Sequence, residues 1–352
     1  MRRLRIIIAD TDENYMLPLQ QKFAEEFFEK IDLEIISDEK YFRELFSIPQ
    51  KAEILIISEE LYDQSLSRHN ISNVFVMMEQ YEEGNTDDLS IHRLFKYTSI
   101  RELFNEITGK SSEVLNLKDG VKKEPEIVLI CSASGGTGKT TVALGISSCL
   151  TKLYKKVLYI GADRLQTFQR MLDNPSTIAA ADVYSKLANP GRSLYEDIKH
   201  VIRKEEFSYL PPFKAALMSL GLKYSIYEKI AHSAKKSRDY DYIVIDADVT
   251  FDEDKAQLFN IADKVVVVTE QTAASVFATN LLVSNINGVS SEKYIFVCNN
   301  FDKEKYNALI SPNSSMKFTV NDYIENYNEY DGMKCNDLAK VNGMQKAAFL
   351  IL

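Results

Sequence analysis

Cysteine is scarce in this sequence and is not arranged to bind a metal. The 352 residues include four cysteines and four histidines. Cys131, Cys149, Cys298 and Cys335 form no CxxC pair, and no cysteine–histidine cluster has the spacing of a zinc site. We therefore interpret the cysteines as buried small apolar residues of a reduced, cytosolic chain.

Long apolar runs are also missing. No stretch approaches the roughly 18 apolar residues that a transmembrane helix needs. The first residues, MRRLRIIIAD, combine basic residues with a short apolar run, whereas a signal peptide needs a longer apolar region and a small-residue cleavage site. We interpret this start as a β-strand of an ordinary globular protein, since 45% of the residues are hydrophobic and 26% are charged.

Neither the first 110 residues nor the rest of the chain has an excess of basic side chains. The net charge is −9: residues 1–110 contain 13 basic and 22 acidic side chains, and the remaining residues contain 29 of each. A nucleic-acid platform is usually basic. The charge distribution therefore predicts that nucleic acid is not a partner.

Short apolar runs alternate with amphipathic helical patterns along the whole chain, which is typical of α/β proteins with parallel sheets. About five βα units fill residues 1–109, the size of a flavodoxin-like domain. Residues 110–126 are polar and weakly periodic, and they predict a linker. A second α/β domain is predicted over residues 127–352, with a mostly parallel sheet.

The stretch LICSASGGTGKTTVAL, residues 129–144, predicts a phosphate-binding loop between a strand and a helix. Its glycines allow backbone N–H groups to turn toward phosphate oxygens, and the helix N-terminus adds the positive end of its dipole. Lys139 would place its ammonium at the β- and γ-phosphates, and the Thr140 hydroxyl would ligate Mg²⁺. The predicted nucleotide-binding residues are Gly135, Gly136, Thr137, Gly138, Lys139, Thr140 and Thr141.

With this loop, the chain resembles the MinD/ParA family of deviant-loop ATPases. The resemblance implies ATP and Mg²⁺ as ligands, with Asp163 at the end of KKVLYIGAD helping to position the attacking water. It assigns Asp246, at the end of the strand in YDYIVIDAD, to Mg²⁺ through water. It assigns Asn299 in YIFVCNNFD to the adenine amino group, with Asn300 as the alternative.

The sequence departs from this family at the residue that the family uses for hydrolysis. The deviant loop reads KGGxGK[ST], and Ser134 occupies the position of its first lysine; the common loop reads GxxxxGK[ST], and Ala133 occupies its first glycine. The family lysine stabilises the transition state across a dimer, a role that a neutral serine does not fill. We therefore predict ATP binding with at most low ATPase activity, to which Lys139 and Asp163 would contribute. Asp248 stands where family members often have proline, and its role is left open.

The first domain resembles a response-regulator receiver domain. Asp10 and Asp12 follow the first strand where receivers hold Mg²⁺, and Lys96 matches the receiver lysine. The phosphoacceptor aspartate is replaced by Ser58, which cannot form an acyl phosphate. The domain is therefore predicted to be an atypical, non-phosphorylatable protein-interaction module, and metal binding by Asp10 and Asp12 is left open.

An atypical receiver domain ahead of such an ATPase domain is similar to the TadZ/CpaE family of tight-adherence (Tad) pilus assembly. The resemblance implies an ATP-promoted homodimer that acts as a localisation scaffold, with pilus-assembly or polar-localisation proteins as partners. It implies a cytoplasmic location, at a cell pole or peripheral to the inner membrane.

Three alternatives concern the function and the C-terminus. A ParA-type partitioning protein or another MinD-like positioning ATPase would share the loop. A bacterial tyrosine kinase would carry a C-terminal tyrosine cluster, which Tyr323, Tyr327 and Tyr330 resemble. It is less favoured, because Tyr323 and Tyr327 have the i,i+4 spacing of an ordinary helix pair. The stretch LAKVNGMQKAAFLIL is predicted to be a helix that packs onto the second domain, the alternative being a peripheral membrane contact.

Overall fold

The computed structural model describes residues 3–27, 30–80, 91–115, 124–289, 291–311, 316–326 and 332–352. The chain divides into two compact units, Met1–Lys123 and Glu124–Leu352. The division falls inside the predicted linker, of which residues 116–123 lie outside the described part.

The first unit is a parallel sheet with helices. Its described elements are β1 (Leu4–Ala9), α1 (Glu13–Glu26), β2 (Ile31–Ile36), α2 (Glu39–Leu45), β3 (Lys51–Ser58), β4 (Asn70–Met78), β5 (Ile91–Phe95) and α3 (Ile100–Lys110). The strands pair in parallel in the order β2-β1-β3-β4-β5, the order of flavodoxin-like folds. Asp12, Asp38 and Ser99 cap the three helices by accepting N–H bonds from the first turn, which explains where these helices begin.

The second unit is built on an eight-stranded, mostly parallel sheet. Its described strands are β6 (Glu126–Cys131), β7 (Val157–Ala162), β8 (Arg203–Lys204), β9 (Ser208–Tyr209), β10 (Tyr242–Ala247), β11 (Lys264–Thr269), β12 (Tyr294–Phe301) and β13 (Asp322–Glu325). They pair in the order β13-β12-β11-β6-β10-β7-β9-β8, and only the β8–β9 pair is antiparallel. The parallel α/β architecture predicted from the sequence is confirmed.

Helices cover both faces of this sheet. They are α4 (Lys139–Lys152), α5 (Ala181–Ala188), α6 (Leu194–Ile198), α7 (Ile226–Ser237), α8 (Glu253–Ile261), α9 (Ala273–Asn285), α10 (Cys335–Leu338) and α11 (Asn342–Phe349). Because both faces are covered, the central strands are continuous apolar runs: Ile127 and Leu129 face one core, and Val128 and Ile130 face the other. Strand β6 lies between β10 and β11, so the loop that follows it leaves from the centre of the sheet.

The C-terminal stretch forms the helix α11, which packs against α4. Met344, Ala347 and Ala348 are buried, and a Cβ on Gly145 would lie 2.8 Å from the sulfur of Met344. The predicted packing of this helix onto the domain is confirmed. No helix in the described ranges combines the length and the apolarity needed to cross a bilayer.

One expectation about the last third of the chain differs from the structure. Tyr323 lies in the strand β13, where its ring contacts Phe301 at 4.7 Å between centroids, so the predicted helix pair is wrong. Tyr327 and Tyr330 lie outside the described residues. The sequence did not reveal β13, because a four-residue edge strand carries little periodicity of its own.

Candidate phosphate-binding site

The loop between β6 and α4 leaves a helix N-terminus open. Gly136 and Gly138 have φ values of +80° and +73°, a left-handed backbone that glycine adopts without strain. Gly138 is the N-cap residue of α4, and within the described ranges no side-chain hydrogen bond caps this end of the helix. The first N–H groups of a helix have no intrahelical acceptor, so this end can bind an anion.

Lys139, the first residue of α4, forms a buried ion pair with Asp246 of β10. Its Nζ donates to Oδ1 at 2.7 Å, and the Tyr159 hydroxyl donates to Oδ2 at 3.0 Å. The register of the sheet places Asp246 opposite Ile130 and Gly161, so the carboxylate reaches the same edge as the loop. Burial, and then the Asp246 carboxylate, raise the pKa of Tyr159, which remains a neutral hydrogen-bond donor.

Asn299, near the end of β12, is hydrogen-bonded to the loop between β6 and α4. Its Nδ2 donates to the Thr137 carbonyl at 2.9 Å, and a Cβ on Gly138 would lie 2.3 Å from that nitrogen. Two buried polar atoms here have no hydrogen-bond partner within the described part of the chain, Thr137 Oγ1 and Asn299 Oδ1. Asn300, the alternative adenine ligand, instead donates to Glu270 at 2.7 Å.

Asp163 follows β7 and caps a turn. Its carboxylate accepts from the Thr167 hydroxyl at 3.1 Å and from the N–H groups of Leu165 and Thr167 at 3.4 Å. Gly161 stands two residues before Asp163, and a Cβ there would lie 2.4 Å from the Phe168 ring. Packing of this ring therefore excludes a carboxylate at that position.

Ser134 lies among hydroxyl groups. Its Oγ is 3.4 Å from the Ser275 hydroxyl near the start of α9, which in turn is 3.1 Å from the Thr269 hydroxyl. The Ser132 hydroxyl donates to the Ser134 carbonyl at 2.9 Å. The position that the resemblance assigns to a lysine is therefore occupied by a neutral, half-buried side chain.

Thr140 and Thr141 occupy the first turn of α4 and are partly buried. Over the described ranges, no cluster of three or more histidine, cysteine, aspartate or glutamate side chains could hold a metal ion. Mg²⁺ at nucleotide sites usually has one or two protein ligands together with phosphates and waters. Thr140 would supply one hydroxyl and Asp246 one carboxylate, so phosphates and waters would complete the coordination of a Mg²⁺ ion here.

The sequence did not predict the ion pairs that Arg164 forms with Asp248 and Asp252 beside this site. Arg164 donates from Nε to Asp248 at 2.6 Å and from Nη2 to Asp252 at 2.7 Å, and it lies over the Tyr224 ring at 5.0 Å. Asp248, whose role was left open, is therefore held by an arginine from the loop after β7. Sequence reasoning had no signal for this pairing, because 84 residues separate the partners.

In the first unit, Asp10 and Lys96 form a buried pair at the carboxyl end of the sheet. Lys96 Nζ lies 3.0 Å from Asp10 Oδ2 and 3.4 Å from Glu79, and it sits over the Tyr15 ring at 5.1 Å. Burial lowers the pKa of Lys96, but hydrogen bonds and charge from Asp10 and then Glu79 outweigh burial, so the pKa is raised. Asp12 caps α1, so the two predicted acidic residues have separate roles.

Comparison with known proteins concerns the second unit. A sequence model described as an AAA domain matches residues 125–297. The septum site-determining protein MinD of Thermotoga maritima is 26% identical over 184 residues, 50% of this chain and 64% of the relative. An ATP-binding protein of Methanocaldococcus jannaschii is 29% identical over 150 residues, 40% of this chain and 52% of the relative. The chain thus spans between half and two thirds of these relatives.

The fold of this unit is also seen in a solved structure. A ParA family ATPase from Chlorobium tepidum superimposes with a TM-score of 0.51 at 15% identity, covering 64% of this chain and 97% of that protein. The chain is therefore similar in sequence to a MinD protein and to an ATP-binding protein, and its second unit shares the fold of a ParA family ATPase.

Proposed function

We propose that the second unit binds ATP with Mg²⁺ at the β6–α4 loop. The observation that carries this proposal is the uncapped N-terminus of α4, which begins with a lysine whose buried ammonium faces Asp246. The amides of Gly135 to Thr141 and the Lys139 ammonium would hold the phosphates, and Thr140 and Asp246, through water, would hold Mg²⁺. Bound Mg²⁺ would neutralise phosphate charge. Asn299 Oδ1 is a buried acceptor without a partner in the described chain, which suits an adenine amino group.

Titration of ATP against a lysine variant tests the assignment. Lys139→Ala removes the only cation of the proposed loop, so we expect binding to weaken by about 100-fold, in keeping with the loss of a charge-assisted contact. Lys229→Ala, which changes an exposed lysine on α7, is the matched control and should bind as the parent does. If Lys139→Ala binds ATP as tightly as the control, the site is assigned wrongly.

Hydrolysis at this site should be slow. Ser134 provides no charge, and Asp163, the proposed water-positioning residue, is engaged in capping a turn. We expect turnover well below about 1 s⁻¹, the low end of ordinary enzymes. Phosphate release under saturating ATP measures it, and a rate at or above that value contradicts the proposal. Ser134→Lys should raise the rate if the missing charge is what limits it.

ATP is proposed to promote a symmetric homodimer, as the resemblance implies. Slow hydrolysis would make this dimer a long-lived scaffold, and two-fold symmetry would present two copies of the first unit to a localised partner. Light scattering should give about twice the 40.2 kDa chain mass with ATP and Mg²⁺ and a smaller species for Lys139→Ala. A monomer at saturating ATP would contradict the scaffold.

The biological role proposed for the scaffold is localisation of tight-adherence pilus assembly, with the first unit as a receiver-like interaction module. This role rests on the TadZ/CpaE resemblance of the whole chain. A fluorescent fusion and a pilus count in a deletion strain test it: polar foci and loss of pili are expected, and normal pili after deletion would reject it.

A positioning or partition ATPase is the second candidate, because the relatives include a septum site-determining protein and a ParA family ATPase. Partition proteins that bind DNA depend on phosphate contacts, so their affinity falls steeply with salt. Titration with random duplex DNA at two salt concentrations distinguishes the candidates. Salt-sensitive binding that requires ATP would favour partition, and its absence would favour the scaffold.

A further inference from the structure

Lys255 is a buried ammonium in the first turn of α8. Its side chain is 1% exposed, and it shares the buried face of the helix with Leu258 and Phe259, three and four residues later. Lysine is almost never fully buried unless it is paired. A lysine on the apolar stripe of a helix therefore requires a compensating partner.

The protein supplies only part of that compensation. Lys255 Nζ donates to the carbonyl oxygen of Asp248, its only acceptor within the described residues. The nearby carboxylates of Asp248 and Asp252 are both bound by Arg164. An ammonium has three donors, so two of them lack an acceptor in this part of the chain, and burial accordingly lowers the pKa of Lys255.

The neighbours of the Lys255 ammonium place it near the loop between β6 and α4. Cys131, which ends β6, and Lys139, which begins α4, act on the pKa of this ammonium together with Asp248 and Asp252, so they lie near it. Cys131 and Lys139 bracket the loop. Asp248 lies two residues beyond Asp246, the carboxylate that pairs with Lys139. Lys255 therefore lies near both ends of the loop, one of which carries the lysine predicted to reach the β- and γ-phosphates.

We propose that Lys255 is a positioning residue of the nucleotide site that provides, within the same chain, fixed positive charge for the terminal phosphate of ATP where Ser134 provides none. This inference rests on the proposed ATP binding. A polyphosphate is an anion that can compensate a buried cation. Lys255 also anchors the Asp248 carbonyl, so the turn after β10 and the terminal phosphate would be stabilised by one group. ATP should consequently depend on this lysine more than ADP does.

Three substitutions separate charge from hydrogen bonding. Lys255→Gln keeps a donor for the Asp248 carbonyl and removes the charge, Lys255→Met removes both, and Lys255→Arg keeps both. Lys229→Gln changes an exposed lysine and serves as the control. Calorimetric titration gives the Kd values for ATP and ADP with Mg²⁺, and thermal unfolding without nucleotide reports on the fold.

We expect Lys255→Gln to bind ATP at least tenfold more weakly and ADP less than threefold more weakly, with an unfolding midpoint equal to or above that of the parent. Removing a buried charge without a carboxylate partner is often neutral or stabilising. Lys255→Arg keeps the charge but enlarges a buried side chain, so it should retain more of the preference for ATP over ADP than Lys255→Gln does. If Lys255→Met does not fold, the glutamine and arginine variants still decide the question.

Two results would overturn the inference. One is a Lys255→Gln variant that binds ATP as the parent does while Lys139→Ala does not, which would leave the proposed function intact. The other is an equal loss of ATP and ADP binding together with a lower unfolding midpoint, which would assign Lys255 a purely structural role. A parent protein that binds no ATP would instead reject the proposed function itself.

Discussion

Both units place a buried lysine and a buried aspartate together at the carboxyl end of a parallel sheet, but the helix beside each pair begins differently. In the second unit, Lys139 faces Asp246 beside a glycine loop, and α4 starts without a side-chain cap. In the first unit, Lys96 faces Asp10, and the nearby α1 is capped by the Asp12 carboxylate. The same pair of residue types thus lies beside an open helix end in one unit and beside a closed one in the other.

The partners of the two ammonium groups extend this difference. Lys96 has two carboxylate partners, Asp10 and Glu79, and lies over the ring of Tyr15. Among the residues that the structure describes, Lys139 has one carboxylate partner, Asp246, which also accepts from Tyr159. A cation already neutralised twice gains little from a further anion, whereas a cation with one partner at an open helix end can gain a phosphate. A lysine–aspartate pair therefore indicates a ligand site only together with its surroundings.

The largest effect on nucleotide binding should come from closing the open loop of the second unit. Gly138→Ala places a Cβ 2.3 Å from Asn299 Nδ2 at a residue with φ of +73°, which combines steric overlap with backbone strain. We expect ATP binding to weaken by about 100-fold, or roughly 2.7 kcal/mol. Isothermal titration measures it. Gly191→Ala, where a Cβ meets nothing within 4 Å, should be neutral, and equal binding by both variants would refute an open loop at Gly138.

The second prediction concerns the stability that the Lys96–Asp10 ion pair gives the first unit. Lys96→Met leaves Asp10 buried without its ammonium, and breaking a buried pair costs about 3–5 kcal/mol. We expect the first unit to lose that stability while ATP affinity stays within twofold of the parent. Denaturant unfolding, with hydrogen exchange of β1 and β5 to localise the loss, measures it. The double variant Asp10→Asn with Lys96→Met should recover part of the loss, and full additivity would argue against coupling of the pair.

The pH dependence of that pair should follow the raised pKa of Lys96. A lysine whose pKa is higher in the folded state stabilises the protein below the unfolded pKa of about 10.4, and this stabilisation is lost as the pH rises through the folded value. The stability difference between the parent and Lys96→Met should stay constant from about pH 7 to pH 9.5 and shrink above about pH 10.5. A difference that already shrinks near neutral pH would contradict the assignment.

The smallest effect is expected at Ser58, whose hydroxyl is 3% exposed and has no hydrogen-bond partner in the described structure. Serine lacks the carboxylate that forms an acyl phosphate. Incubation with acetyl phosphate and Mg²⁺ should therefore leave the intact mass unchanged. The Ser58→Ala variant is the control, and an added phosphoryl mass on the parent but not on this variant would contradict the prediction by showing that Ser58 is phosphorylated.

The sequence predicted most of the elements that build the candidate site. The apolar runs of β6 and β10 and the glycines after β6 are local signals, because a strand buried on both faces must be apolar and a left-handed turn favours glycine. Lys139, Asp246 and Asn299 were placed on the correct elements for the same reason. The stretch FSYLPP was predicted to be a strand and contains β9, whereas the two short edge strands β8 and β13 were not predicted from the sequence, since they depend on neighbours in the sheet.

The sequence by itself thus determined the parallel α/β architecture and the glycine loop between β6 and α4, since these follow from residue patterns within a few turns of the chain. The tertiary structure alone decided that Arg164 pairs with Asp248, that Phe168 fills the space beside Gly161, and that Lys255 is buried. The physical reason is that the free energy of a buried charge or a packed ring depends on partners distant in sequence. Lys255 had a local signal, its place on the apolar face of α8, but only the fold shows which site that charge adjoins.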